Sequence, residues 1–262
     1  MLIAGIVLLV AAVGLVLYAR HHRGKARTAT ATETLSCGDV AALSQGVADE
    51  VGAGDFSQRC EAVGVARPGP QGLVDAPESK ADAVWARTQV THKYWEMVTV
   101  TRDGRSHRER QERSETVSDI TSVAPFLLED DTGSVLIHPD GADVDRPEKV
   151  VDRFEQASQV QGDGGGFLAT LLRATNDSGT LGFQREEWIL RPGARLYVQG
   201  EVADRTGQLA FARPRDKGPF LVSTRSEEEI VASSERTAKL ALAGAGVAGV
   251  VGLVLLVAGA VA

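Results

Sequence analysis

Read for polarity alone, the chain is a polar middle between two apolar ends. Residues 2–17 and 240–261 carry no charged side chain, and every Asp, Glu, Lys and Arg lies between them. At about 1.5 Å per helical residue these runs span roughly 25 Å and 33 Å. A bilayer core is about 30 Å thick and needs ~17–25 apolar residues, so the second run crosses comfortably and the first just does. A cleaved signal peptide would carry its positive charge ahead of the apolar stretch. Here Arg20, His21, His22, Arg23, Lys25 and Arg27 follow it, which favours an anchor. The pattern predicts a membrane helix over 1–19, a basic juxtamembrane linker over 20–35, a soluble domain over 36–235 and a second membrane helix over 236–262.

Inside the domain the period changes twice. Val40, Leu43, Val47 and Val51 recur at helical spacing behind Ser36 or Thr34 as caps, and Gly52 and Gly54 stop the helix. Beyond them the alternation is that of strands: 60–65, 73–74, a long one over 84–101, and a charged return strand over 106–121 after the Asp103-Gly104 turn. That charged strand predicts a solvent-facing edge. Two short strands flank the turn at Asp131-Thr132-Gly133, 150–154 is ambiguous between helix and strand, and 162–166 reads as a loop before helical turns at 167–172. Strands at 186–190, 195–202, 209–212 and 220–223 complete the set, with turns at Pro192-Gly193 and Thr206-Gly207. Ser226 then opens an acidic helix that leads into the second membrane span. Short strands with regular turns predict an α+β protein: an antiparallel β-rich barrel or sandwich with peripheral helices, flanked by two transmembrane helices.

The second apolar run repeats small residues every four positions, at Gly244, Ala248 and Gly252 and again at Ala241, Ala245 and Gly249. Small side chains let helices approach closely in lipid. The partner is either the first helix, with Gly5, Ala12 and Gly14, or a second copy of the chain, making a homo-oligomer. Lys and Arg flank both runs on the domain side, including Arg236 and Lys239, so the positive-inside rule predicts a cell-membrane protein with a cytoplasmic domain and both termini outside.

Charge narrows the partners. From Glu33 to Arg236 there are 35 acidic residues against 23 basic ones, which argues against nucleic acid. Arg20, Arg23, Lys25 and Arg27 are the exception, suited to anionic lipid headgroups or to an ordinary stop-transfer flank. Two cysteines, Cys37 and Cys60, are too few for a disulfide framework or a structural zinc site. With 22 Arg against 6 Lys and one Asn, the composition points to a high-GC bacterial genome.

Chemical motifs are scarce. Asp131-Thr132-Gly133 matches the aspartic-protease triplet, which needs two carboxylates sharing a proton. The same residues make an ordinary hairpin, and Glu129 and Asp130 would crowd such a site. His92, His107 and His138 are scattered, and His21-His22 sit among repelling cations. The glycine run at 162–166 lacks the Lys-Ser/Thr of a phosphate loop. The Asn176 sequon carries no meaning in a bacterial or cytoplasmic domain. No metal, cofactor or catalytic residue is expected.

The order of short motifs does resemble a known family. Pro125, Phe126, Asp131 and Gly133, then Gly182, Glu186, Gly193, Gly200 and Glu201, then Pro219-Phe220 before an acidic helix and a membrane span, resemble the GIDE or "beside a membrane" domain. The resemblance implies structural roles for these residues and a layout of two membrane helices around one domain. It also implies kinship with RING-type E3 ubiquitin ligases of mitochondrial and chloroplast membranes, whose zinc-binding RING follows the second helix and whose domain faces the intermembrane space. This sequence ends at that helix, and eight zinc ligands are not to be found in two cysteines. The expected function is thus a membrane-anchored, non-catalytic domain that binds or senses a protein or lipid partner beside the bilayer. The alternatives are a RING-type ubiquitin-ligase relative and a membrane aspartyl hydrolase using Asp131.

Overall fold

A computed structural model describes residues 2–30, 33–102, 104–157, 178–205, 207–216 and 218–261. The expectations for Asp103, for the loop at 162–166, the helical turns at 167–172, the Asn176 sequon and Thr206 lie outside them. The described elements are helices α1 (Leu2–Thr30), α2 (Cys37–Val51) and α3 (Glu227–Val261) and eleven strands. The strands are β1 (Ser57–Arg67), β2 (Trp85–Arg102), β3 (Arg105–Thr121), β4 (Phe126–Asp130), β5 (Gly133–Ile137), β6 (Asp143–Asp145), β7 (Glu148–Gln156), β8 (Ser178–Leu190), β9 (Arg195–Ala203), β10 (Ala210–Ala212) and β11 (Leu221–Ser223).

Five of these strands close a barrel. The ring runs β1–β4–β5–β10–β9 and shuts through nine paired residues of β1 and β9, from Ser57↔Ala203 to Val65↔Arg195. It is not wholly antiparallel: β5 meets β10 in parallel, and β6, attached through β11 to β9, is also parallel to its neighbour. Every second residue turns inward, as the two-residue period of a strand requires. Cys60, Ala62 and Ala66 face Phe126, Leu128, Ile137, Leu196, Val198, Val202 and Phe211 in one core, all essentially without solvent contact. Small residues on β1 and large ones on β4 and β10 let so narrow a barrel fill completely.

The four remaining strands form a separate antiparallel sheet in the order β3–β2–β8–β7. As the charges predicted, β3 is an exposed edge. Its neighbour β2 begins in the barrel core at Trp85 and then leaves it, so the two sheets are joined at their base. One stretch of this sheet buries a charge. The Glu187 carboxylate accepts from the Glu78 N–H (3.0 Å), the Ser79 N–H (2.9 Å) and the Thr88 hydroxyl (3.2 Å), stapling the preceding loop to the sheet. Burial opposes its ionisation, but those donors outweigh it and hold the carboxyl below its ordinary value.

The 73–74 strand is reduced to one bridge, Val74 to Ala83. Residues 150–154 resolve as strand, within β7. The basic flank after residue 19 is carried on a continuation of α1 to Thr30, and α3 begins at Glu227.

Candidate functional site

The turn that looked like a protease triplet is built around the preceding residue. Asp130 and Gly133 pair across a two-residue hairpin, and the Asp130 carboxylate accepts from the Thr132 N–H (2.8 Å), the Thr132 hydroxyl (2.6 Å) and the Gly133 N–H (3.1 Å). Its other oxygen accepts from the N–H of Cys37 at the start of α2 (2.7 Å), while the Thr132 oxygen accepts from the Gly38 N–H (2.7 Å). The turn therefore satisfies donors that a helix N-terminus leaves open, alongside the Ser36–Asp39 capping box. Burial pushes the Asp130 carboxyl up, yet the Thr132 and Cys37 hydrogen bonds prevail and hold it down at about 2. Asp131 itself is exposed at the tip of the turn.

The other motif residues are distributed through the framework. Phe126 and Phe220 are core residues, and Pro125 precedes β4 with its carbonyl against Gly69. Gly200 leaves room for the Phe220 ring, which would stand 2.8 Å from a Cβ. Gly182 lies against Phe154 and the Glu155 carbonyl, where no side chain fits. Gly193, at φ +86°, makes the turn into β9 and donates its N–H to Ala66 O (2.8 Å). Glu186 meets Lys149 at 2.6 Å, and buried Glu201 binds Arg205 and the Ser57 hydroxyl (2.6 Å). Pro219 leads into Phe220 at the end of β11's approach. These residues do not converge on one pocket.

Both thiols are buried in the barrel, and burial, with nearby Asp130 for Cys37 and Glu61 for Cys60, pushes each up to about 12. His92 is stacked on Tyr94 and Phe183 and bonded to Thr180, and burial lowers its pKa. Among the described residues no three His, Cys, Asp or Glu are placed to hold a metal.

The two apolar helices pair with each other. Gly5 meets Gly252, and Ala19 clusters with Ala238 and Ala241, so α1 and α3 run antiparallel. Along the pair, Gly5 and Ala19 on α1 and Ala238, Ala241, Ala245 and Gly252 on α3 are buried, and Leu8, Leu9, Ala12 and Leu15, with Ala248 and Gly249, are half-buried. The seam draws Ala248 and Gly252 from one predicted row and Ala241, Ala245 and Gly249 from the other. Gly244 sits exposed at its rim, 3.5 Å from Leu15 at the nearest point a Cβ would reach. At the crossing, a Cβ on Gly5 would stand 2.8 Å from the Gly252 carbonyl. Arg20 is exposed just past the apolar run, and Arg23, Lys25 and Arg27 follow on the same helix with side chains outside the description. The helical pair is fastened to the barrel by Arg225, which bonds Asp145 of β6 (2.7 Å) and Ser233 of α3 (2.8 Å).

A family model described as GIDE, E3 Ubiquitin ligase, matches residues 96–258, more than half of the chain. The chain belongs to this GIDE family. The matched stretch runs from the middle of β2 to the end of the membrane-length part of α3, and leaves α1, α2 and β1 outside. Yet the GIDE barrel closes only through β1, so the first 95 residues complete the unit that the match identifies. No curated protein and no solved structure matches the chain.

A concavity of this GIDE domain with aromatic walls lies where the two sheets join. A cleft of about 770 Å³ is walled by Trp85, Arg87 and Trp188 at the base of the second sheet and by Asp140, Val144 and Pro147 around β6. Its size is that of an ordinary binding cleft. Arg87 is held flat by a two-pronged pair with Asp119 (2.8 and 2.6 Å) and lies 5.8 Å from the Trp188 ring, which Lys149 approaches at 5.4 Å. No local pattern along the chain marks it, because its walls come from segments about one hundred residues apart that only the β2–β8 pairing, Arg87 opposite Trp188, brings together.

Proposed function

We propose that this protein is a membrane-anchored GIDE domain that holds a protein or lipid partner beside the bilayer without performing chemistry on it. The observation that carries the reading is the helical pair: two membrane-length helices locked along a small-residue seam and continuing unbroken towards the barrel. With the bilayer at the apolar run from residue 240, the first 13 residues of α3, Glu227 to Lys239, stand outside it as a rod of roughly 20 Å. The extension of α1 beyond Tyr18 runs beside it. The domain is then held off the membrane surface at a fixed height, with Arg20 and Lys239 at headgroup level.

The Lys and Arg flanks support a cytoplasmic domain in a cell membrane, with both termini outside. Ubiquitin transfer is not supported within these residues, since a RING needs eight zinc ligands and the two cysteines are barrel-core side chains. Nor is a hydrolase built on Asp131, whose neighbour Asp130 is committed to capping α2.

Crosslinking in intact membranes, followed by identification of what is captured, tests the binding role. A reproducible set of partners lost on deletion of residues 33–226 is the expected result, and capture that survives that deletion would overturn it. Protease added from outside should leave the domain intact, and its cleavage from that side would reverse the orientation.

A further inference from the structure

A groove runs along the outer side of α2. Cys37, Val40 and Ser44 dock that helix on the barrel, and the groove is the face beside them. Its floor is Ala42, Leu43, Gly46 and Val47, with Leu43 44% exposed. Its far wall is the segment 33–35, clasped to β1 because the Leu35 N–H donates to the Glu61 carbonyl (2.8 Å) and the Glu61 N–H to the Glu33 carbonyl (2.9 Å). The space so enclosed is about 790 Å³.

Gly46 is the informative residue. Glycine inside a helix is unfavourable relative to alanine, so it needs a reason. Gly38 of the same helix has one, since a Cβ there would stand 2.9 Å from Thr132. A Cβ on Gly46 would meet nothing within 4 Å. No described contact requires a glycine at that position, and what it leaves, beside Ala42 one turn earlier, is room for a close approach from outside. Helix axes approach to about 8 Å where the contacting side chains are small. The lining positions 39, 42, 43, 46, 47 and 50 recur in threes and fours over roughly 17 Å, which is the footprint of a second helix laid alongside.

Charge adds a sign. Glu33, Asp39 and Glu50 line the groove and no Lys, Arg or His does. Glu33 and Glu50 form no ion pair among the described residues. A second copy of α2 would set acid against acid, so it does not suit. The basic stretch of α1, residues 20–30, has no Leu, Val, Ile, Met or Phe with which to cover the floor.

We infer that this groove holds an amphipathic helix of a partner protein, apolar towards Leu43 and Val47 and carrying lysine or arginine on the sides that meet Glu33, Asp39 and Glu50. The inference rests on the partner-holding role proposed above and gives that partner a shape and a charge.

The test places a photoreactive group in the groove, by Leu43→p-benzoylphenylalanine, in the full chain held in phosphatidylcholine nanodiscs. The probe is an alanine-based helix of about 18 residues, with leucines every three or four positions and lysines beside them. Irradiation should attach this peptide to the chain, with a yield that saturates as peptide is added. A version with glutamate for lysine, and one broken by a central proline, should each attach at least about tenfold less. Gly46→Leu, which fills open space, should leave thermal unfolding at or above that of the parent chain and cut attachment at least about tenfold. Glu50→Lys should cut it about threefold to tenfold. Equal attachment of the proline-broken peptide, or attachment unchanged by Gly46→Leu, would overturn the inference. So would attachment to α1 of the same chain or to a second copy in place of the peptide, since the groove would then be filled already. If membrane crosslinking captures partners equally with Gly46→Leu in place while the peptide does not attach, the anchoring role stands and the groove assignment falls. If the peptide attaches as expected and no partner is captured, the groove stands without that role.

Discussion

The barrel and the four-stranded sheet beside it are made from the same chain by opposite means. The barrel closes on itself, fills with Phe, Leu, Val and Ala, and leaves no open edge along its ring. The second sheet stays open, and its surfaces are held by charge: Arg87 to Asp119, Arg185 to Glu78 and Glu155, Lys149 to Glu186. Exposed ion pairs contribute little to stability, whereas apolar burial contributes most of it. The difference teaches a division of labour. The barrel fixes the fold and its attachment to the two apolar helices, and the sheet presents surface.

The sharpest way to break that contrast is a cavity in the barrel. Phe126→Ala, at 1% exposure, should cost about 3–5 kcal/mol, read by thermal unfolding of the detergent-solubilised chain. A loss under about 1 kcal/mol would mean that the barrel is not the stabilising unit. Within the second sheet the largest effect should come from the buried carboxylate of Glu187. Glu187→Ala strands the N–H groups of Glu78 and Ser79 and should cost roughly 2–3 kcal/mol, with faster hydrogen exchange confined to the neighbouring loop.

Asp130 lies between these regimes. Its carboxyl is held at about 2 in the folded protein, below the ordinary value near 3.8, so its contribution is complete above about pH 4 and disappears as pH falls towards 2. Partly exposed, it should supply about 1–2 kcal/mol. Asp130→Asn should lower stability by that amount at pH 7 and by almost nothing near pH 2, so unfolding of the two proteins should converge in acid. A pH-independent gap would show that the turn acts by shape and not by charge. At the small end, Arg113→Ala removes an exposed pair with Glu96 on the sheet's edge and should change stability by no more than about 0.5 kcal/mol. A larger cost would erase the distinction between the two regions.

Much of this was legible in the sequence where the signal is local. Strand alternation placed β2, β3, β4, β5 and β9, because half-buried strands must alternate, and Ser36 and Gly52 marked the ends of α2 through its caps. What could not be read is what depends on distant pairing. Closure of the barrel needs β1 and β9, where Glu61 and Gln199 bond side chain to side chain across 138 residues. The three-residue β6, Asp-Val-Asp, has no hydrophobic period at all and exists because β11 pairs with it. The importance of Asp130 over Asp131 was hidden too, since only the docking of α2 shows which carboxylate is engaged. The small-residue rows of the second apolar helix were legible, but which of their members face α1 was not, since Gly244 lies exposed while Ala241, Ala245 and Gly252 are buried.

The account stands on α1 and α3 pairing within one chain. The direct measurement is disulfide formation in native membranes between cysteines introduced by Leu8→Cys and Gly252→Cys, where a Cβ on residue 252 stands 3.1 Å from that of Leu8. Rapid crosslinking at the mass of a single chain, with none for the outward-facing pair Val7→Cys and Gly252→Cys, is the predicted result. A crosslinked band at twice that mass, or no crosslink at all, would contradict the hairpin on which the placement of the domain depends.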